Sequence, residues 1–210
     1  MKKRIISFVL SVALILGVFS YNAFALNTEA IDKIKNTDEY ACSLTYYSAE
    51  IGYEQDMKIY LKDGKAAIEA KVPIEDYGLL LKFRVVIKDG KGKLFLPIFP
   101  FVCIGFDAEE VMGNTNFVDD VLFIADYQLT ADGKTYDVLV YGDEDGNTFK
   151  YFIFEGELKR IESLDADGNI ISEIRINKAS YEVSEREFFA PFFAINFDDY
   201  NYDFSELLSF

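Results

Sequence analysis

The sequence predicts a mainly β domain folded as an antiparallel meander, and three observations carry that prediction. Five Asp-Gly dipeptides punctuate the chain, at Asp63-Gly64, Asp89-Gly90, Asp132-Gly133, Asp145-Gly146 and Asp167-Gly168. Asp-Gly accepts the positive φ angles that tight hairpins need. The runs between most of them are rich in aromatic and β-branched residues, and several alternate apolar with polar, as strands with one buried and one wet face do.

The first 25 residues read as an export signal rather than part of the fold. Lys2, Lys3 and Arg4 form a charged start, Ile5 to Phe19 an apolar stretch, and Ala23-Phe24-Ala25 a small-x-small cleavage site. The stretch is short for a spanning helix, which needs roughly 20 residues. Cleavage after Ala25 leaves no membrane span and no cysteine at the new start to carry a lipid. Residues 26–210 then read as one domain in a secreted or extracytoplasmic setting.

Thr28 to Asn36 is expected to be a short helix, with Thr28 as its cap and Lys33 and Lys35 near its negative end. Strands are expected at Tyr40 to Ser48, Tyr53 to Leu61, Ala66 to Val72 and Leu79 to Lys88. In Ala66 to Val72, Ile68, Ala70 and Val72 alternate with Glu69 and Lys71. In Leu79 to Lys88, Leu79, Leu81, Phe83, Val85 and Ile87 alternate with Lys82, Arg84 and Lys88. Leu94 to Phe106 breaks the pattern with Pro97 and Pro100. It predicts a short strand, Lys93 to Leu96, an apolar loop, and a second short strand, because proline is confined to edges, strand starts and bulges. Asp107 to Gly113 has the cap and stop residues of one or two helical turns. Strands resume at Val121 to Leu129, Tyr136 to Tyr141, Phe149 to Phe154, Glu157 to Leu164 and Ile170 to Val183. The closing segment 188–210 holds nine aromatic residues, four acids and no base. It reads either as a closing strand or segment packed over the sheet or as an exposed recognition strip.

Composition excludes more than it identifies. Beyond the signal, 18 basic residues face 36 acids, a net charge of −18. Such a chain is repelled by nucleic-acid phosphates and anionic head groups, so no nucleic-acid partner is expected. With no histidine, Ser-His and Cys-His nucleophile pairs and His-containing zinc sites are absent. The expectation is no enzyme, no catalytic residue and no cofactor; a glycosidase-like carboxylate pair is the remaining enzymatic alternative. Asp143 to Asn147 and Asp165 to Asn169 look superficially like calcium loops. Setting their glycine at the sixth loop position puts Phe152 or Ile174 where a bidentate Glu belongs. They are expected to be hairpin turns, with no metal. Cys42 and Cys103 either pair, as export permits, or stay apart as small buried hydrophobes, the second being favoured by their apolar runs.

The apolar run Phe95-Leu96-Pro97-Ile98-Phe99-Pro100-Phe101 reads as plain core or as a greasy loop at the mouth of a cavity. On the second reading Val121, Phe123 and Tyr127 line the same cavity. The candidate ligand-binding residues are therefore Phe95, Ile98, Phe99, Phe101, Phe123 and Tyr127.

The order of parts resembles the LolA-like superfamily of lipoprotein-carrier folds, and small secreted proteins of Gram-positive anaerobes within it. The resemblance runs from about Ala30 to Pro191 and is most distinctive from Gly133 to Ile161, in GKTYDVLVYGDEDGNTFKYFIFEGELKRI. It implies a strongly bent antiparallel sheet forming an unclosed half-barrel with one or two short helices, whose apolar concave face holds acyl chains or other lipophilic groups. The stretch Lys93 to Phe101 maps to the region of the mouth. The expected function is an exported, non-enzymatic binding module for a lipophilic ligand. The alternative is a surface module that presents its aromatic C-terminal segment or a sheet edge to another protein.

Overall fold

The computed structural model describes residues 37–49, 52–74, 79–96, 101–107, 122–189 and 194–196. They form a single sheet of twelve strands: β1 (Glu39–Ser48), β2 (Glu54–Lys62), β3 (Lys65–Ile74), β4 (Leu79–Lys88), β5 (Lys91–Leu96), β6 (Phe101–Asp107), β7 (Leu122–Ala131), β8 (Lys134–Gly142), β9 (Thr148–Phe154), β10 (Glu157–Leu164), β11 (Ile170–Ser180) and β12 (Ala194–Asn196).

The spatial order is β12-β6-β5-β4-β3-β2-β1-β11-β10-β9-β8-β7. Two meanders lie side by side, β1 to β6 and β7 to β11, each built from consecutive hairpins. Their seam is β1 against β11, from Ala41 opposite Ser180 to Ser48 opposite Ser172. Every pairing is antiparallel except that of β12, which runs parallel to β6. β12 and β7 remain as edges, so the sheet is an unclosed half-barrel. Bulges at Ser43/Leu44, Phe123/Ala125, Leu158/Arg160 and Ser163/Leu164 interrupt the ladders, and each extra residue bends its strand and adds twist.

The turns explain the hairpins. Asp63-Gly64, Asp89-Gly90 and Asp132-Gly133 have φ near 50° then near 72°, the two left-handed positions of a type I′ turn. Glu155-Gly156 makes a fourth such turn, with φ of 54° and 72°. The other two Asp-Gly pairs sit in longer loops where the glycine alone is left-handed, at φ 85°. In each loop the first aspartate organises the turn. Asp143 accepts from the backbone N–H and side-chain amide of Asn147, both at 2.8 Å. Asp165 does the same for Asn169, at 2.8 and 3.0 Å.

Alternation divides the sheet into two faces. The inner face is one apolar cluster that includes Tyr40, Cys42, Leu44 and Tyr46 on β1, Met57 and Ile59 on β2, and Ile68 and Ala70 on β3. It continues through Phe83, Val85 and Ile87 on β4 to Leu94 on β5, and on the other side of the seam through Ile174, Ile161 and Tyr151 to Tyr141 on β8. On the outer face of the first meander a smaller cluster joins Ala67, Val86, Phe95 and Cys103 to Val183 and Phe188.

Val183 and Phe188 belong to a segment that leaves β11 and folds back over the outer face. It contains a 3₁₀ turn, Glu185–Phe188, capped by the Ser184 hydroxyl accepting from the Arg186 N–H. Lys62 donates to the Val183 carbonyl at 3.0 Å and pairs with Glu39 at 2.9 Å, while Glu39 accepts from the Val183 N–H at 2.9 Å. Lys65 pairs with Glu185 at 3.0 Å. Arg84 donates to the Glu187 carbonyl and to Glu69, which Lys82 also reaches at 2.8 Å. Nothing in the local sequence predicts that turn; β12 falls in the closing segment, where a closing strand is one of the expectations. The expected helix Thr28 to Asn36 lies outside the described residues, as does Asp107 to Gly113 except for Asp107, which ends β6.

Candidate functional site

Two surfaces of the sheet have the chemistry of a binding site: the inner face and the open edge at β7. The inner face is apolar from β5 across the seam to β8, with a polar strip at one end. On β2 the alternating set is Gln55, Met57 and Ile59, so register alone puts Gln55 among the inward residues. Gln55 is 2% exposed and lies opposite Tyr46 on β1. Neither its amide oxygen nor its amide nitrogen has a hydrogen-bond partner among the described residues. The neighbouring inward row is polar too: Ser48 on β1 faces Ser172 on β11, which faces Ser163 on β10. The uncharged strip of Gln55 and three serines therefore lies at the end of the inner face nearest the β1–β2, β8–β9 and β10–β11 connections. Burial pushes the Cys42 thiol, further in along β1, up to about 12, so that thiol is inert at neutral pH.

The edge strand β7 pairs only with β8, and its large apolar residues are exposed: Leu122 by 73%, Ile124 by 59% and Phe123 by 56%, with Tyr127 and Leu129 also exposed. The bulge at Ile124 redistributes them. Phe123 opposes Tyr141 and packs edge-on against it at 5.6 Å between ring centroids, which places it on the inner face. Past the bulge, Ala125, Tyr127 and Leu129 oppose Val140, Val138 and Tyr136, which are outer-face residues. Ile124 itself lies over Gly142, where a Cβ would come within 2.7 Å of its methyl. The outer side of the edge thus carries Ile124, Tyr127 and Leu129 in a row, beside a cluster of Val138, Val140 and Phe152. The Arg160 guanidinium covers the Phe152 ring at 3.7 Å.

The candidate ligand-binding residues fall at separate places. Phe95 is buried on the outer face beside Cys103, under the folded-back segment. Phe123 is on the inner face and Tyr127 on the outer face of β7, at the far end of the strand order from Phe95. Phe101 opens β6 and pairs with Ala194 of β12. Ile98, Phe99 and Val121 lie outside the described residues. The register brings no two of Phe95, Phe123 and Tyr127 together. Sequence reasoning missed Gln55, although a glutamine at an inward position of an alternating strand is a legible signal. Cys42 faces inward on β1 and Cys103 outward on β6, and both are buried thiols rather than halves of a disulfide. Among the described residues no group of three His, Cys, Asp or Glu side chains is arranged to hold a metal ion, and no helix is long and apolar enough to cross a membrane.

No family model and no curated protein matches this chain. Solved structures do. An uncharacterized conserved protein from Thermus thermophilus is similar with a TM-score of 0.55 at 11% identity, over 80% of this chain and 94% of that one. The likeness shows a shared fold. Weaker likenesses are to Pseudomonas aeruginosa MucB, solved as a MucA/MucB complex (TM-score 0.41, 12% identity, 73% of this chain), and to LprF from Mycobacterium bovis (0.42, 9%, 70% and 88%). In the MucA/MucB complex the match spans 56% of the matched chain's length.

Proposed function

We propose that this protein is an exported, non-enzymatic binding module of LolA-like fold that holds a lipophilic group against the inner face of its half-barrel. The observation that carries the reading is the continuous apolar inner face, running from Leu94 on β5 across the seam to Tyr141 on β8, in a sheet that does not close. The central residues of that face are already buried, Ile59 and Ile68 completely, so a ligand displaces what covers them, and each acyl methylene buried in its place contributes about 0.8 kcal/mol. The basic start and small-x-small site of residues 1–25 support export. The test is mass spectrometry of an organic extract of the purified protein, together with displacement of a fluorescent fatty acid. A co-purifying lipid or saturable displacement is expected; neither appearing would overturn the reading.

A second reading is favoured by β7. A ten-residue edge strand with exposed Leu122, Phe123 and Ile124 is a template for strand addition by a partner polypeptide. Binding of an extended peptide there would protect the β7 amides from hydrogen exchange. Ile124→Pro, which removes an amide at the bulge, would abolish both binding and protection. Protection confined to other strands would reject this reading.

A further inference from the structure

We infer that Gln55 is the head-group contact of the inner face, and that the ligand class is an apolar chain ending in an uncharged group bearing a hydrogen-bond donor beside an acceptor, as a primary carboxamide does. The inference rests on the inner-face reading proposed above and names its chemistry. Both ends of the Gln55 amide are buried without a partner among the described residues. Such a group is costly, since each unmade hydrogen bond leaves a desolvated polar atom. Leucine or methionine would fill a similar volume on this face without that cost. The glutamine side chain offers an N–H₂ donor and a carbonyl acceptor side by side, which matches a donor–acceptor pair in the ligand through two parallel hydrogen bonds.

The surroundings define the charge of that head. In the register Gln55 is flanked by Tyr46 and Met57, with Ile174 beyond Tyr46 and the serine row Ser48, Ser172 and Ser163 alongside. None of these carries a charge, and the chain as a whole is at −15. A carboxylate or phosphate would be desolvated there with none of these residues supplying a cation to offset the cost, so an uncharged head is selected. The serine row lies towards the end of the strands; Met57, Ile59 and Ile68 further in are already buried, so the tail binds there only by displacing what buries them.

The experiment measures displacement of an uncharged fluorescent polyene, diphenylhexatriene, by three competitors of equal carbon number: oleamide, potassium oleate and 1-octadecene. Wild type is expected to bind oleamide roughly thirtyfold more tightly than 1-octadecene, the worth of two net hydrogen bonds, and more tightly than oleate at pH 8. Gln55→Leu is expected to keep 1-octadecene binding and lose the preference for the amide. A Gln55 side-chain amide resonance in ¹⁵N-labelled wild type that shifts with oleamide and not with 1-octadecene gives the same answer without a variant. Equal affinities in wild type, or a preference that survives Gln55→Leu, would overturn the head-group assignment while leaving the inner-face site standing. Displacement by none of the three would bring down both.

Discussion

At the scale of single residues the outer face holds the most exacting arrangement. Glu69 is 7% exposed and takes charge from Arg84 at 3.1 Å and Lys82 at 2.8 Å. Arg84 also reaches forward to the Glu187 carbonyl, so one guanidinium joins the sheet to the folded-back segment. Removing one partner of a buried pair strands the other charge, at a cost of about 3–5 kcal/mol. Lys82 remains in place, so Arg84→Met is expected to cost about 3 kcal/mol in urea unfolding, at the low end of that range. Glu155 makes the opposite case. It occupies a left-handed position at φ 54° that asparagine enters at less steric cost. Glu155→Asn is expected to raise stability by about 1 kcal/mol, the lower end of the left-handed penalty, read as an increase in the urea midpoint.

At the scale of elements, strand-forming residues were legible where alternation is strict. Leu79–Lys88 and Glu157–Leu164 fall where the pattern puts them, because a half-buried strand repeats every two residues and little else does. The expected strands leave Glu155-Gly156 between them as a two-residue connection, but its left-handed turn was not singled out because glutamate carries no turn preference. The bulge at Ile124 escaped for a deeper reason: an inserted residue changes no local composition, yet it turns Tyr127 and Phe123 to opposite faces. Phe95 points outward because Leu94 takes the inward place opposite Val85, a choice that pairing makes and local sequence does not. The folded-back segment was illegible because its attachments are to Glu39, Lys62, Lys65 and Arg84, all distant in sequence. Its chemistry predicts a pH response. Hydrogen bonds from Lys62 and from the Val183 N–H hold the Glu39 carboxyl below its usual value of 4.5, and Lys65 does so for Glu185. A carboxylate whose pKa is lowered by folding contributes stability above its unfolded value, and that contribution is lost as pH falls through the folded one. The exchange protection of residues 182–188, measured against the intrinsic rate at each pH, is therefore expected to be constant above about pH 5 and to fall below about pH 4, with no such change in the amides of β3.

At the scale of the whole molecule, the two faces keep apart groups that the chain's composition alone would let meet. Cys42 and Cys103 lie on opposite sides of a sheet and on strands five places apart in the order, far beyond the roughly 7 Å between Cα atoms that a disulfide spans. Two thiols are expected to react with Ellman's reagent in the unfolded, unreduced protein. A single thiol-free species would show that the chain can bridge them only by leaving this fold. The resemblance in hairpin pattern anticipated the open half-barrel, since consecutive hairpins force neighbouring strands together. It was silent on the polar strip at Gln55, because a hairpin pattern fixes which strands are neighbours and not which residue fills an inward position.

The seam between β1 and β11 has a consequence for how the chain is made. β1 is the first described strand in sequence, and β11 is the last of the antiparallel ones, so Ala41 must wait for Ser180. Strands β2 to β6 can zip on to β1 as they emerge. The opposite flank of β1 stays bare until nearly all of the chain has been delivered, on the order of ten seconds at ordinary synthesis rates. During that interval the nascent protein displays a ten-residue strand with an apolar face, Tyr40, Cys42, Leu44 and Tyr46, and nothing of its own to pair with it. The finished fold closes at its middle, and its most sticky moment comes just before it does so. A holding chaperone that recognises extended apolar strands would find its footing on β1, and would be displaced only by β11.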